Sequence, residues 1–82
     1  MDFYKNAIGA KIKELRTTKN YSQRELASRA GISYSAVSYY ENGRSIDIDI
    51  LNSICIALGI DMLDFLDEVK KDVISHKKAQ KK

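Results

Sequence analysis

Apolar residues recur along this chain at intervals of three and four, the period of an α-helix with one buried face. Over about Tyr4 to Lys19, Ile8, Ile12 and Leu15 make one stripe and lysines occupy the other faces. Asn20-Tyr21 ends that pattern. Ser22-Gln23-Arg24-Glu25 opens a second helix with the spacing of a capping box. There the Ser22 hydroxyl can accept the Glu25 backbone N–H while the Glu25 carboxylate reaches back to residue 22. Leu26, Ala27 and Ala30 form its inner face, and Gly31 closes it. Ser33 is the N-cap of a third helix running to Glu41 or Asn42, with Ile32, Val37 and Tyr40 turned inward. Asp47 caps a fourth helix to Leu58, with Ile48, Leu51, Ile54, Cys55 and Leu58 inside and Gly59 at its end. Asp61 caps a fifth, expected to reach about Ile74 or Ser75. No strand-like alternation with turn pairs interrupts the series, so the fold class is all-α with five helices.

Size fixes the organisation. An 82-residue chain has room for one domain, and much of the surface of so small a domain stays wet. We expect a single domain over residues 1–75 and a basic, flexible tail over 76–82, where lysines replace any apolar face. The longest apolar run falls far short of the roughly 20 residues of a membrane span. The start Met1-Asp2-Phe3-Tyr4-Lys5 lacks the pattern of a secretion signal. One cysteine, Cys55, sits in the run Ile54-Cys55-Ile56 and reads as a small buried core residue. A reducing cytoplasm is the compartment these features fit.

Charge changes the picture by its distribution. The net charge is +3, but residues 1–44 carry +4, residues 45–76 carry −5, and the tail 77–82 carries +4. A basic front and an acidic back suggest one face for a polyanion and another turned away from it.

Enzyme chemistry finds no constellation here. The one histidine, His76, stands in the lysine tail, and Asp61, Asp64, Asp67, Glu68 and Asp72 are spread around a helix as caps and solvated charge. No Cys/His cluster, phosphate loop or nucleophile motif is present, so neither metal nor cofactor is expected.

The informative unit is Ser22 to Asn42: a short helix, the link Gly31-Ile32-Ser33, and a second short helix. Small Ala27 lets the two approach closely. The outer face of the third helix carries Tyr34, Ser35, Ser38 and Tyr39, a poor solubilising surface but a good hydrogen-bonding one. These residues can exchange hydrogen bonds with base edges, and the tyrosine rings can pack on thymine methyls.

Residues 8–66 resemble the Xre/Cro-type helix-turn-helix domain of phage repressors and bacterial regulators. The likeness rests on Ile8-Gly9-Ala10-Lys11-Ile12-Lys13-Glu14-Leu15-Arg16, Tyr21-Ser22-Gln23-Arg24-Glu25-Leu26-Ala27, Ala30-Gly31-Ile32-Ser33, Val37-Ser38, Glu41-Asn42-Gly43-Arg44 and Ala57-Leu58-Gly59-Ile60. It implies a lambda-repressor-like domain, here with an extended C-terminal helix. It also implies a sequence-specific regulator of double-stranded DNA, of repressor, phage or restriction-modification controller type. By that resemblance, Ser33, Tyr34, Ser35, Ser38 and Tyr39 read bases in the major groove. Gln23, Arg24, Asn42, Arg44 and Lys11 hold phosphates. Arg16 and Glu41 form a structural ion pair. Tyr34 and Tyr39 stand where Arg and Gln are common in the family, which leaves this helix without an evident bidentate reader of guanine or adenine.

Ile50, Ile56 and Leu63 occupy positions more often polar in the family. Met62, Leu66, Val69 and Val73 step by four, three and four, the rhythm of a helix-pairing seam. We therefore expect a homodimer through Ile50, Ile56, Leu63, Leu66, Val69 and Val73, facing a palindromic operator. A protein partner, such as a toxin or RNA polymerase, remains the alternative to DNA as the main ligand.

Overall fold

The computed structural model describes the backbone of residues 3–80 and the side chains of residues 4–75. Its elements are α1 (Phe3–Thr18), α2 (Gln23–Ala30), α3 (Tyr34–Glu41), α4 (Ile48–Leu58) and α5 (Met62–Gln80). No strand occurs among the described residues. The last helix continues past Ser75, where the sequence placed the start of a flexible tail. The side chains of His76, Lys77 and Lys78 lie outside the described residues, as do Lys81 and Lys82 altogether.

Oxygen side chains start four of the helices by taking up backbone N–H groups that have no partner in the first turn. Ser22 accepts from Glu25 N at 3.0 Å, Ser33 from Ala36 N at 3.1 Å, and Asp47 from Ile50 N at 2.9 Å. Asp61 Oδ1 accepts from Leu63 N at 2.8 Å and Asp64 N at 3.3 Å. The capping box at Ser22 is only half formed. Glu25 turns along its own helix instead, where its carboxylate accepts from Arg29 Nε at 2.7 Å.

Four helix ends share one turn. After α2, Gly31 N donates to Ser28 O and Ile32 N to Ala27 O, which satisfies two carbonyls the helix would leave open. The same pair of bonds follows Asn20, Gly43 and Gly59. The pivot residue has φ between +62° and +87° in each case, a region glycine enters without a Cβ penalty. These turns aim each helix at the next without a long loop.

The core is drawn from every helix: Ile12, Leu26, Ala27, Val37, Leu51, Ile54, Cys55, Leu58, Phe65, Val69 and Val73 are buried together. Helices α1 and α5 pack along one side, and α2 packs on both α3 and α4. Burial raises the Cys55 thiol to about 11, and the nearby charge of Asp61 adds to the shift.

Two expectations about the apolar positions need correction. Ile48 is exposed, because it lies at the N-terminal end of α4 before that helix meets its neighbours. Val69 and Val73 do not await a second chain. Phe65, Val69 and Val73, spaced four apart, form the stripe of α5 that meets the body of the domain, and all three are buried within the chain itself. Leu66 is half-buried beside this stripe.

Candidate nucleic-acid interface

The outer side of α3 is built by a close crossing behind it. A Cβ placed on Gly9 of α1 would lie 2.5 Å from the Tyr40 carbonyl oxygen and 3.0 Å from that of Glu41. Only glycine lets α1 sit this near the end of α3. Val37 and the half-buried Tyr40 then face inward, which leaves Ser33, Tyr34, Ser35 and Tyr39 exposed and Ser38 at the margin.

An ion pair fixes the far end of the same helix. Arg16 Nε lies 2.6 Å from Glu41 Oε2, with the arginine side chain 12% exposed and the glutamate 5%. Arg16 Nη2 and Gln23 Nε2 both donate to Glu41 Oε1, at 3.2 and 3.0 Å. Arg16 Nη1 donates to the Tyr21 carbonyl at 2.9 Å. Helices α1, α2 and α3 and the turn after α1 are thereby held by one guanidinium and one carboxylate. Gln23, expected at a phosphate, is tied into this group through its amide nitrogen.

Lys11 does not lie at the interface. Its side chain is 5% exposed and reaches Asp72 at 3.0 Å, Glu14 at 3.1 Å and Glu68 at 3.5 Å. Burial works against the ammonium charge, but the bonds to Asp72 and Glu14 outweigh it and hold the group above the usual lysine value. Lys11 thus clasps α1 to α5, and an ammonium buried among three carboxylates is not open to the phosphate expected of it. Asn42 is exposed at the end of α3, where its Nδ2 donates to the Ser38 carbonyl at 2.9 Å.

The remaining arginines sort by partner. Arg29 pairs with Glu25 and lies over the Tyr21 ring, 4.5 Å from its centroid. Arg24 lies over Tyr34 at 4.6 Å and Arg44 over Tyr39 at 5.9 Å. Among the described residues, no ion pair involves either of these two. Both exposed rings of α3 therefore carry a guanidinium with no carboxylate to neutralise it, one near each end of the helix. Sequence reading missed this, because Arg24 belongs to α2 and lies ten positions before Tyr34.

Comparison with known proteins decides the family. A family model described as helix-turn-helix matches residues 12–65. The chain belongs to the Xre/Cro-type helix-turn-helix family of DNA-binding regulators. Its helix-turn-helix domain is 38% identical over 64 residues to the antitoxin PezA of Streptococcus pneumoniae, covering 77% of this chain and 40% of PezA. A second curated relative matches over 21% of its own length, so the chain spans less than half of either. Among solved structures, it superposes on the clp gene regulator ClgR of Corynebacterium glutamicum with a TM-score of 0.87. The two are 28% identical, and the match covers 94% of this chain and 83% of ClgR. The wild-type restriction-modification controller protein C.Esp1396I gives a TM-score of 0.84 at 25% identity, over 93% of this chain and all of that one. Among the described residues of the helix-turn-helix domain, no group of His, Cys, Asp or Glu could hold a metal ion, and no helix is long and apolar enough to cross a membrane.

Proposed function

We propose that this chain is a sequence-specific transcriptional regulator that inserts α3 into the major groove of double-stranded DNA and pairs as a homodimer on a palindromic operator. The observation that carries the reading is the face of exposed Tyr34, Ser35 and Tyr39 with Ser38 at its margin, bracketed by two arginines that have no acid partner among the described residues. A helix fits a major groove about 12 Å wide, and short hydroxyl side chains and aromatic edges suit its floor. Arg44 and Asn42, with the N-terminus of α2, whose Gln23 bonds Glu41 at the end of α3, suit the phosphates that flank the groove. With no arginine or glutamine on α3, short hydrogen bonds, methyl contacts and DNA shape carry much of the specificity of that helix. The likeness to the controller protein C.Esp1396I supports a controller or repressor type of regulator.

Pairing is proposed through α4 and the start of α5. Ile56 and Leu63 are 70% and 71% exposed and flank the turn between these helices. Ile50 and Leu66 are half-buried. Val69 and Val73, closed inside the chain, take no part. Two copies related by a two-fold axis would set their α3 helices about 34 Å apart, one turn of DNA.

Selection of bound duplexes from a random pool is the test. It should return a palindrome with half-sites one turn apart, and log K should fall with log salt by roughly 0.9 for each phosphate neutralised. Equal affinity for all duplexes would overturn the reading. The 38% identity to an antitoxin favours one second reading, in which a protein partner is the main ligand. That reading predicts a salt slope near zero on DNA.

A further inference from the structure

We propose that Arg24, seated on the Tyr34 ring, reads a guanine edge in the major groove, so that α2 supplies the bidentate reader that α3 lacks. The inference rests on the DNA-binding reading above and assigns a specificity residue to it. Three observations carry it. Arg24 is the second residue of α2 and Tyr34 the first of α3, and it is the N-terminal part of a recognition helix that meets base edges. The guanidinium is held 4.6 Å from the ring centroid. Of the four arginines, Arg16 and Arg29 are committed to Glu41 and Glu25, whereas Arg24 has a π face for a partner and, among the described residues, no carboxylate.

The chemistry follows from that placement. A ring face balances the charge without taking up the planar fork of N–H donors, so the fork stays open to a ligand. Guanine O6 and N7 form the acceptor pair that such a fork matches bidentately. A phosphate can take the same fork, but it recurs at every nucleotide and carries no sequence information, so it gains nothing from a donor aimed at one base pair. Holding the guanidinium over a ring beforehand reduces the ordering cost on binding and fixes which base pair it meets. Tyr34 is then a positioning residue whose ring matters more than its hydroxyl. Arg44, over Tyr39 at 5.9 Å and beyond the end of α3, keeps the role of a backbone contact.

The experiment is duplex selection with the full chain, followed by affinity measurements on the selected site and on each single base-pair variant of it. The proteins are wild type, Arg24→Ala, Arg24→Lys, Tyr34→Ala, Tyr34→Phe and the double variant Arg24→Ala/Tyr34→Ala. Both residues are exposed, and unchanged circular dichroism confirms that each variant folds. Arg24→Ala should lose about tenfold or more on the selected site and become indifferent to one G·C pair per half-site. Arg24→Lys should lose that same preference while keeping the salt slope. Tyr34→Phe should behave as wild type, and the double variant should lose no more than Arg24→Ala alone. Uniform weakening on every duplex by Arg24→Ala, rescued by Arg24→Lys, would make Arg24 a phosphate contact and overturn the proposal. Equal losses from Tyr34→Phe and Tyr34→Ala would overturn it as well, by placing the reader at the tyrosine hydroxyl. A wild-type chain that selects no sequence overturns the regulator reading itself, before any variant is compared.

Discussion

Arg16 on α1 meets Glu41 at the end of α3 with Nε 2.6 Å from Oε2, and both side chains are largely out of water. The pair ties the last residue of α3 to α1, so its rigidity helps to set the angle of that helix. Removing one member strands the other as an uncompensated buried charge, which costs about 3–5 kcal/mol. Arg16→Ala should therefore lower the thermal midpoint by more than about 10 °C, given roughly 4–8 °C per kcal/mol for a domain of this size. A shift of a degree or two in a melting curve would show that the pair is dispensable.

Gly9 and Gly31 should respond to alanine for different reasons. At Gly9 the new Cβ meets two backbone carbonyls, which cannot swing aside, so α1 and α3 must separate. Overpacking of this kind costs about 1–3 kcal/mol. At Gly31 nothing lies within 4 Å, and only the φ of +72° resists the substitution, at about 1 kcal/mol. Urea unfolding of both variants checks the order. Gly31→Ala proving the more damaging would contradict the close crossing.

Stability should decline on the alkaline side. The Cys55 thiol is raised to about 11 from 9.0, chiefly by burial, and Lys11 is also held above its usual value. In both groups the folded chain favours the protonated form, so stability is intact below about pH 9. It falls as the pH rises through the folded values. For Cys55 the loss is on the order of 1 kcal/mol by pH 10. The urea midpoint of wild type should drop between pH 8 and pH 10, and Cys55→Ala should show a shallower drop. Equal slopes would mean that the thiol does not report on folding.

On DNA, the face of α3 and its flank should separate by type of loss. Ser35→Ala should cost about 1–3 kcal/mol at particular base pairs. Arg44→Ala should weaken all duplexes alike and reduce the salt slope by about one. Titrations on matched and mismatched sites at several salt concentrations distinguish the two, and the opposite assignment would mean that α3 is not the reader.

Leu63→Asp should leave the melting curve of dilute protein unchanged while shifting sedimentation toward monomer and weakening binding to a two-half-site duplex. Val69→Asp should unfold the chain instead, because Val69 is closed inside the core. A dimer that persists in Leu63→Asp would place the pairing surface elsewhere.

Local signals made most of the fold legible. Ser22, Ser33, Asp47 and Asp61 announce four helix starts, and Asn20, Gly31, Gly43 and Gly59 the turns between helices, because each acts within a few residues of itself. What stayed hidden depends on contacts between elements. The four-residue spacing of Phe65, Val69 and Val73 was readable, but that α1 would cover it was not. Lys11 looked like any lysine on a helix until Glu14, Glu68 and Asp72 gathered around it. Gly9 carried a clue, since a glycine within a helix is costly without a packing reason. The Arg24–Tyr34 contact had no periodic signature, because it joins two helices across a sharp turn.

The enclosure of Val69 and Val73 separates folding from pairing. A protomer that fills its own interior keeps its shape on dilution, so the pairing proposed above would be a distinct, reversible equilibrium. Where two copies share one palindrome, occupancy at low copy number scales with the square of the protomer concentration. Occupancy would then rise with expression more steeply than a single protomer on a single half-site allows.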